Sequence, residues 1–256
     1  MQKSNTSKDR EIEKILKENG LFPNTSAPWQ QEIIDNFLSN IEINKNDECL
    51  DIACGIGNNI QTIMHYFNKI QGIDKSEKAI EYARNRYKNV SFVNIDFDVK
   101  DLFLLNNKKK CFKCVICTEA MEHIVDYQKA IYKIYSKTKK GGYVIISFQN
   151  HFNLATFYKI IYEKLFNKNW DVWGTHSHKN GYENYLNCFQ VKKAVEENGF
   201  KVLDEIGADY LNAWFFWIPF LYKNYKILNK YPFFIFGKIP IIKYFGMDYF
   251  MFLKKV

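Results

Sequence analysis

Two carboxylates and an imidazole stand close together at Glu119, Glu122 and His123, just past an apolar run that ends at Cys117. On a helical turn, Glu119 projects to the same side as Glu122 and His123, three and four residues on. Such a trio suits a hard divalent cation, or an acid/base cluster that takes a proton from an acceptor. A second set lies upstream. The run Cys49 to Ile52, which carries Asp51, breaks into Ala53-Cys54-Gly55-Ile56-Gly57, a small-residue turn that opens a helix-like segment from Asn58 to Phe67. A strand handed to a helix through glycines presents backbone N–H groups to a ligand and lets an adenosine-bearing cofactor approach the main chain. About twenty positions later the run Ile70-Gln71-Gly72-Ile73 ends in Asp74, the spacing at which a strand-tip carboxylate accepts hydrogen bonds from a ribose diol. A third run, Val90 to Ile95, leads into Asp96-Phe97, an acid and a ring suited to an adenine amine and its face.

These groups are useful only if the chain ends a strand at each of them. Ser76 caps a helix predicted over Glu77 to Tyr87, with Ile80 and Ala83 inward. Lys113 to Cys117 reads as a fourth strand and Tyr127 to Lys137 as an amphipathic helix. Lys140-Gly141-Gly142 then turns into a fifth strand, Tyr143 to Phe148. Strands alternating with helices in this rhythm make a parallel sheet covered on both faces. Upstream, Pro28 suits a first helical turn, with Trp29, Ile33, Ile34 and Phe37 at helical spacing. Downstream, Phe189 to Glu197 reads as a helix capped by Asn198-Gly199.

Two insertions interrupt the later part of the chain. Residues 151–187 hold an apolar-faced helix, Leu154 to Phe166, and the loop Trp170 to His178. Residues 210–246 are aromatic and lysine-rich. Each apolar run there is far short of the ~20 residues that span a bilayer. Rings interspersed with Lys223, Lys226, Lys230, Lys238 and Lys243 suit peripheral membrane contact, a greasy substrate entrance, or packing against the domain or a second copy in a homodimer.

The 256 residues read as a polar arm (1–26) followed by one domain (27–256). The polar N-terminus has no secretory pattern, and six scattered cysteines read as reduced thiols, so the expected location is cytoplasmic. Cys114 and Cys117 fall an odd number of residues apart on one strand, so they point to opposite faces and do not share a metal. The net charge of +8 comes from lysines spread along the chain, without the arginine-rich patch of a nucleic-acid module.

The series LDIACGIG, GIDKSEKAIEYA, NIDFD, FKCVICTEAMEHI and KKGGYVIIS resembles the class I S-adenosylmethionine-dependent methyltransferases over roughly Glu48 to Ser147. The resemblance implies an α/β, Rossmann-like, doubly wound sheet of seven strands, mostly parallel with an antiparallel last strand. The remaining strands then fall at Phe200 to Leu203 and Tyr249 to Leu253, each preceded by an insertion, and the Pro28 helix often lies over the cofactor pocket in this fold. It implies S-adenosylmethionine as cofactor, with Gly55 and Gly57 at its methionine portion, Asp74 at the ribose, and Asp96 with Phe97 at the adenine. Asp51, Ala53, Cys54, Asn59, Lys75 and Thr118 complete the implied cofactor set.

Glu119-x-x-Glu122-His123 is similar to ubiquinone-pathway O-methyltransferases and, more distantly, to small-RNA 3′-end methyltransferases, whose equivalent residues bind a divalent metal. Gly174-Thr175-His176 resembles a segment of the ubiquinone-pathway group. The implied catalytic residues are His123, Glu119 and His176, and the implied ligands of a magnesium or zinc ion are Glu119, Glu122, His123 and His176. The expected reaction is O-methylation of a small or lipid-linked acceptor: a quinone or phenol precursor, a glycan sugar or a specialised metabolite. Alternatives are methylation of an RNA terminal ribose, and a cofactor-binding scaffold without turnover.

Overall fold

The computed structural model describes residues 28–94, 111–166, 184–210 and 237–256. Asp96, Phe97, His176, the polar arm and most of the aromatic insertion (211–236) lie outside the described residues. The chain runs α1 (Pro28–Ser39), β1 (Glu48–Ile52), α2 (Ile60–Ile63), β2 (Lys69–Asp74), α3 (Glu77–Arg86), β3 (Ser91–Asn94) and β4 (Phe112–Cys117). A 3₁₀ turn (Met121–His123) leads to α4 (Tyr127–Lys137), β5 (Thr138–Gln149), α5 (Leu154–Phe166), α6 (Cys188–Glu197) and β6 (Phe200–Ala208). A second 3₁₀ turn, Ile242–Phe245, precedes β7 (Asp248–Lys255).

The seven strands form one sheet in the order β3-β2-β1-β4-β5-β7-β6. All neighbouring pairs from β3 to β5 are parallel, and β7 runs antiparallel to both β5 and β6. This is the expected doubly wound arrangement with its reversed last strand.

Alternation along each strand sends residues to two cores. On one face Leu50, Ile52, Val115, Ile146 and Met251 pack with Ile131 and Ile134 of α4 and Val191 and Val195 of α6. On the other, Cys49, Cys114, Ile116, Ile145 and Phe250 pack with Ile33 and Ile34 of α1 and Ile80 and Ala83 of α3. Cys114 and Cys117 lie in different cores, as their odd spacing requires, and all six cysteines are free thiols.

Local chemistry explains the boundaries. Ser76, Asp126 and Asn187 cap α3, α4 and α6, each side chain accepting the backbone N–H three residues on. Gly199, at φ +88°, closes α6.

Four expectations are corrected. The segment from Asn58 to Phe67 is helical only over Ile60–Ile63, because three-residue hydrogen bonds (Thr62 to Asn59, His65 to Thr62) flank and replace the α pattern. β5 starts at Thr138. The Lys140-Gly141-Gly142 turn is a bulge within it, since the register jumps from Phe112↔Thr138 to Cys114↔Tyr143. β6 and β7 are longer than their apolar runs. β6 continues through a bulge in which Leu203 is extra between Val202↔Leu253 and Asp204↔Phe252. Last, Glu119 is not on a helical turn with Glu122 and His123. It adopts φ +52° ahead of the 3₁₀ turn, so the spacing argument that grouped the three fails.

Candidate functional site

β1 ends in a bend with three left-handed residues, Ala53 (φ +56°), Gly55 (φ +52°) and Gly57 (φ +82°). Ala53 stands where a glycine would be unstrained, at a cost of about 1–2 kcal/mol. A Cβ at Gly55 would meet nothing within 4 Å, so conformation rather than crowding calls for glycine, and the space over the bend is open. At Gly57 both reasons apply, because a Cβ would sit 2.9 Å from the Tyr87 ring.

Asp74, at the tip of β2, locks the bend. Its Oδ2 accepts the Gly55 N–H at 2.8 Å and its Oδ1 accepts the Ser76 N–H at 2.8 Å. Asp51 lies fully buried beneath, and neither of its oxygens has a hydrogen-bond partner among the described residues. Burial pushes its carboxyl up to about 7. The Asn59 amide, close by but outside hydrogen-bond geometry, draws it down, and the Asp74 charge adds to the rise. An orphaned buried acid beside an open backbone cradle fits a ligand that brings its own donors or positive charge.

A polar row continues along the same edge. Asn59 Nδ2 donates to Thr118 Oγ1 at 2.8 Å, and Gln31 Nε2 of α1 donates to Asn59 Oδ1 at 3.1 Å. α1 thus reaches the segment just past the bend through Gln31. Beyond β4, the Glu119 N–H donates to Ser147 Oγ at 3.0 Å, and that hydroxyl donates to Glu119 Oε1 at 2.9 Å. Burial raises the Glu119 carboxyl, Ser147 moderates the rise, and the Asp209 charge adds to it. Asp248, first in β7, is raised well above the usual carboxylate range by burial and by the charges of Glu119, Asp209 and Glu122.

A family model described as a methyltransferase domain matches residues 43–199. The chain belongs to this methyltransferase family. Among relatives, it is 28% identical over 167 residues to a ubiquinone biosynthesis O-methyltransferase of Coxiella burnetii (strain Dugway 5J108-111), covering 65% of this chain and 68% of that one. It is 27% identical over 229 residues to the protein of that name from Pelagibacter ubique (strain HTCC1062), covering 82% and 92%. Among solved structures, an S-adenosylmethionine-dependent methyltransferase from Mesorhizobium loti superposes with a TM-score of 0.58 at 13% identity, covering 87% of this chain and 96% of that one.

The protein is a class I S-adenosylmethionine-dependent methyltransferase. Among the methyltransferase's expected cofactor residues, Asp51, Ala53, Cys54, Gly55, Gly57, Asn59, Asp74 and Thr118 gather along the strand-tip edge, and Lys75 follows Asp74 as an exposed residue. Among the described residues the expected metal half-site is not formed, and His176 lies outside them. Among the described residues no three His, Cys, Asp or Glu side chains are placed to hold one ion, and the Glu119 carboxylate turns to Ser147 instead. Glu122 is buried on the 3₁₀ turn and His123 is half-buried beside it.

Sequence reading missed Gln31, Ser147, Asp209 and Asp248. Ser147 and Asp248 did carry a signal, each being a polar residue inside or beside an apolar strand run.

Proposed function

We propose that this methyltransferase moves a methyl group to a hydroxyl oxygen of a small or lipophilic acceptor. The cofactor, when bound, supplies a methyl activated by its sulfonium charge. The chain's part is alignment and proton removal. In this reading Asp74 receives the ribose diol while keeping the Gly55 N–H, and Gly55, Gly57, Ala53 and Cys54 flank the methionine portion. Asp51, Asn59 and Thr118 line the floor, Lys75 borders the ribose side, and Asp96 with Phe97, outside the described residues, are assigned to the adenine. His123 takes the acceptor proton, and Glu119, fixed by Ser147, orients the acceptor beside it.

The observation that carries this reading is the open bend at Gly55 locked by Asp74, with Glu119 on the same edge past β4. An oxygen acceptor is further supported by the relatives named as ubiquinone biosynthesis O-methyltransferases. A lipophilic acceptor, met at a membrane surface, is supported by α5, whose Phe157, Ile160, Ile161 and Leu165 are exposed at helical spacing.

The test is His123→Ala with a panel of phenolic, quinol and sugar acceptors, following release of the demethylated cofactor. Turnover should fall by about 10²–10⁴, the usual worth of a positioned base, while cofactor affinity holds. Full activity would refute the role.

A further inference from the structure

Asp248 is 8% exposed, and among the described residues its carboxylate makes no hydrogen bond or ion pair. The charges that bear on it, Glu119, Asp209 and Glu122, all share its sign. A buried carboxylate held near others with no donor of its own is costly unless something brings one.

The sheet register shows where it stands. Ser147 of β5 pairs with Phe250 of β7, and Gln149 pairs with Asp248. Ser147 and Asp248 therefore lie on one face, as diagonal neighbours about 7–8 Å apart on adjacent strands. Ser147 Oγ holds the Glu119 carboxylate at 2.9 Å. Two carboxylates thus approach one space from β4 and β7. The described residues offer no three-ligand set for a bare ion. An alkylammonium is larger and carries three donors, and bracketing it with charge-assisted bonds of about 2.7–2.9 Å needs oxygens about 5 Å apart.

We propose that Glu119 and Asp248 form an acceptor subsite for a protonated amine, so that the substrate is a hydroxylated amine. This rests on the methyl-transfer reading above and names its substrate class. The ammonium is the anchor and stays unmethylated. At the other end of the acceptor the hydroxyl oxygen forms the new C–O bond, the methyl–sulfur bond breaks, its electron pair stays on sulfur, and the hydroxyl proton goes to His123.

Three probes of one shape and different charge test it: tyramine, its neutral analogue 4-(2-hydroxyethyl)phenol, and 4-hydroxyphenylacetate. Each is titrated calorimetrically into the enzyme saturated with S-adenosylhomocysteine. The amine should bind at least tenfold tighter than the neutral probe, with the anion weakest. Asp248→Asn should erase most of that preference while leaving affinity for the neutral probe and for S-adenosylhomocysteine unchanged. Equal affinities, no amine binding at millimolar concentration, or a preference intact in Asp248→Asn would overturn the subsite; if that variant fails to fold, the wild-type charge series still decides. Binding needs no turnover, so the two readings fail separately. Charge selectivity with no methylation of any hydroxyl would sink the O-methylation reading alone, and methylation without charge selectivity would sink the subsite alone.

Discussion

Asp51 shows how one buried residue ties stability to pH. Its carboxyl sits at about 7 because burial penalises the charge, whereas an unfolded chain would titrate it near 3.8. A carboxyl raised in the folded state stabilises nothing by ionising. Its neutral form is tolerated below the unfolded value, and stability drains as pH rises through the folded value. Asp51→Asn, which removes the charge but keeps the shape, should therefore raise the ligand-free melting temperature at pH 8 and change it little at pH 4. A melting temperature displaced equally at both pH values would show that the charge is not what costs. Much at this scale was legible. The run from Asp51 to Gly57 and the spacing to Asp74 place a bend and an acid together, and the structure joins them through the Gly55 N–H. Glu119 was not. Its left-handed backbone is fixed by a hydroxyl 28 residues away on β5, and no local periodicity carries that contact.

Among elements, the strands and capped helices followed from apolar period and cap residues, and the misreadings came where tertiary partners override local pattern. β6 is the clearest case. Its second half, Asp204-Glu205-Ile206-Gly207, looks too polar for a strand, yet Glu205 is buried and accepts Lys192 Nζ at 3.0 Å, Lys243 Nζ at 3.1 Å and the Tyr249 hydroxyl at 3.3 Å. Burial alone would raise the Glu205 carboxyl, but the two ammoniums outweigh it and hold it below the usual range. This network fastens α6, β6, β7 and the 3₁₀ turn at the end of the aromatic insertion. A carboxyl lowered in the folded state contributes stability above its unfolded value, and that contribution is lost as pH falls through the folded one. Glu205→Gln should cost about 1–3 kcal/mol in denaturant unfolding at pH 7, and the deficit should shrink below the ordinary glutamate value of 4.5. An equal deficit at pH 3 and pH 7 would make the loss one of packing, not charge.

For the whole molecule, the alternation of strands and helices implies a parallel sheet, and β1 to β5 do bring their carboxyl tips to one edge, with β7 running the other way so that its first residue, Asp248, lies at that edge. The acidic line along that edge emerges only when β7 inserts between β5 and β6, setting Asp248 beside residues about a hundred positions earlier. No helix of the described residues is long and apolar enough to cross a membrane. The exposed face of α5 instead predicts peripheral association. The protein should float with anionic liposomes, and replacing Ile161 and Leu165 by Ser should leave it at the bottom of the gradient. Equal flotation of both proteins would remove α5 from that role.

The most direct measurement is calorimetric titration of S-adenosylhomocysteine into the wild-type enzyme and Asp74→Ala. The wild type should show saturable one-to-one binding. Losing the carboxylate that holds the bend, and that is proposed to take the ribose diol, should weaken it at least about tenfold, the equivalent of one charge-assisted hydrogen bond. Unchanged affinity in Asp74→Ala, or no heat with the wild type, would contradict the assignment of the bend as the cofactor's seat.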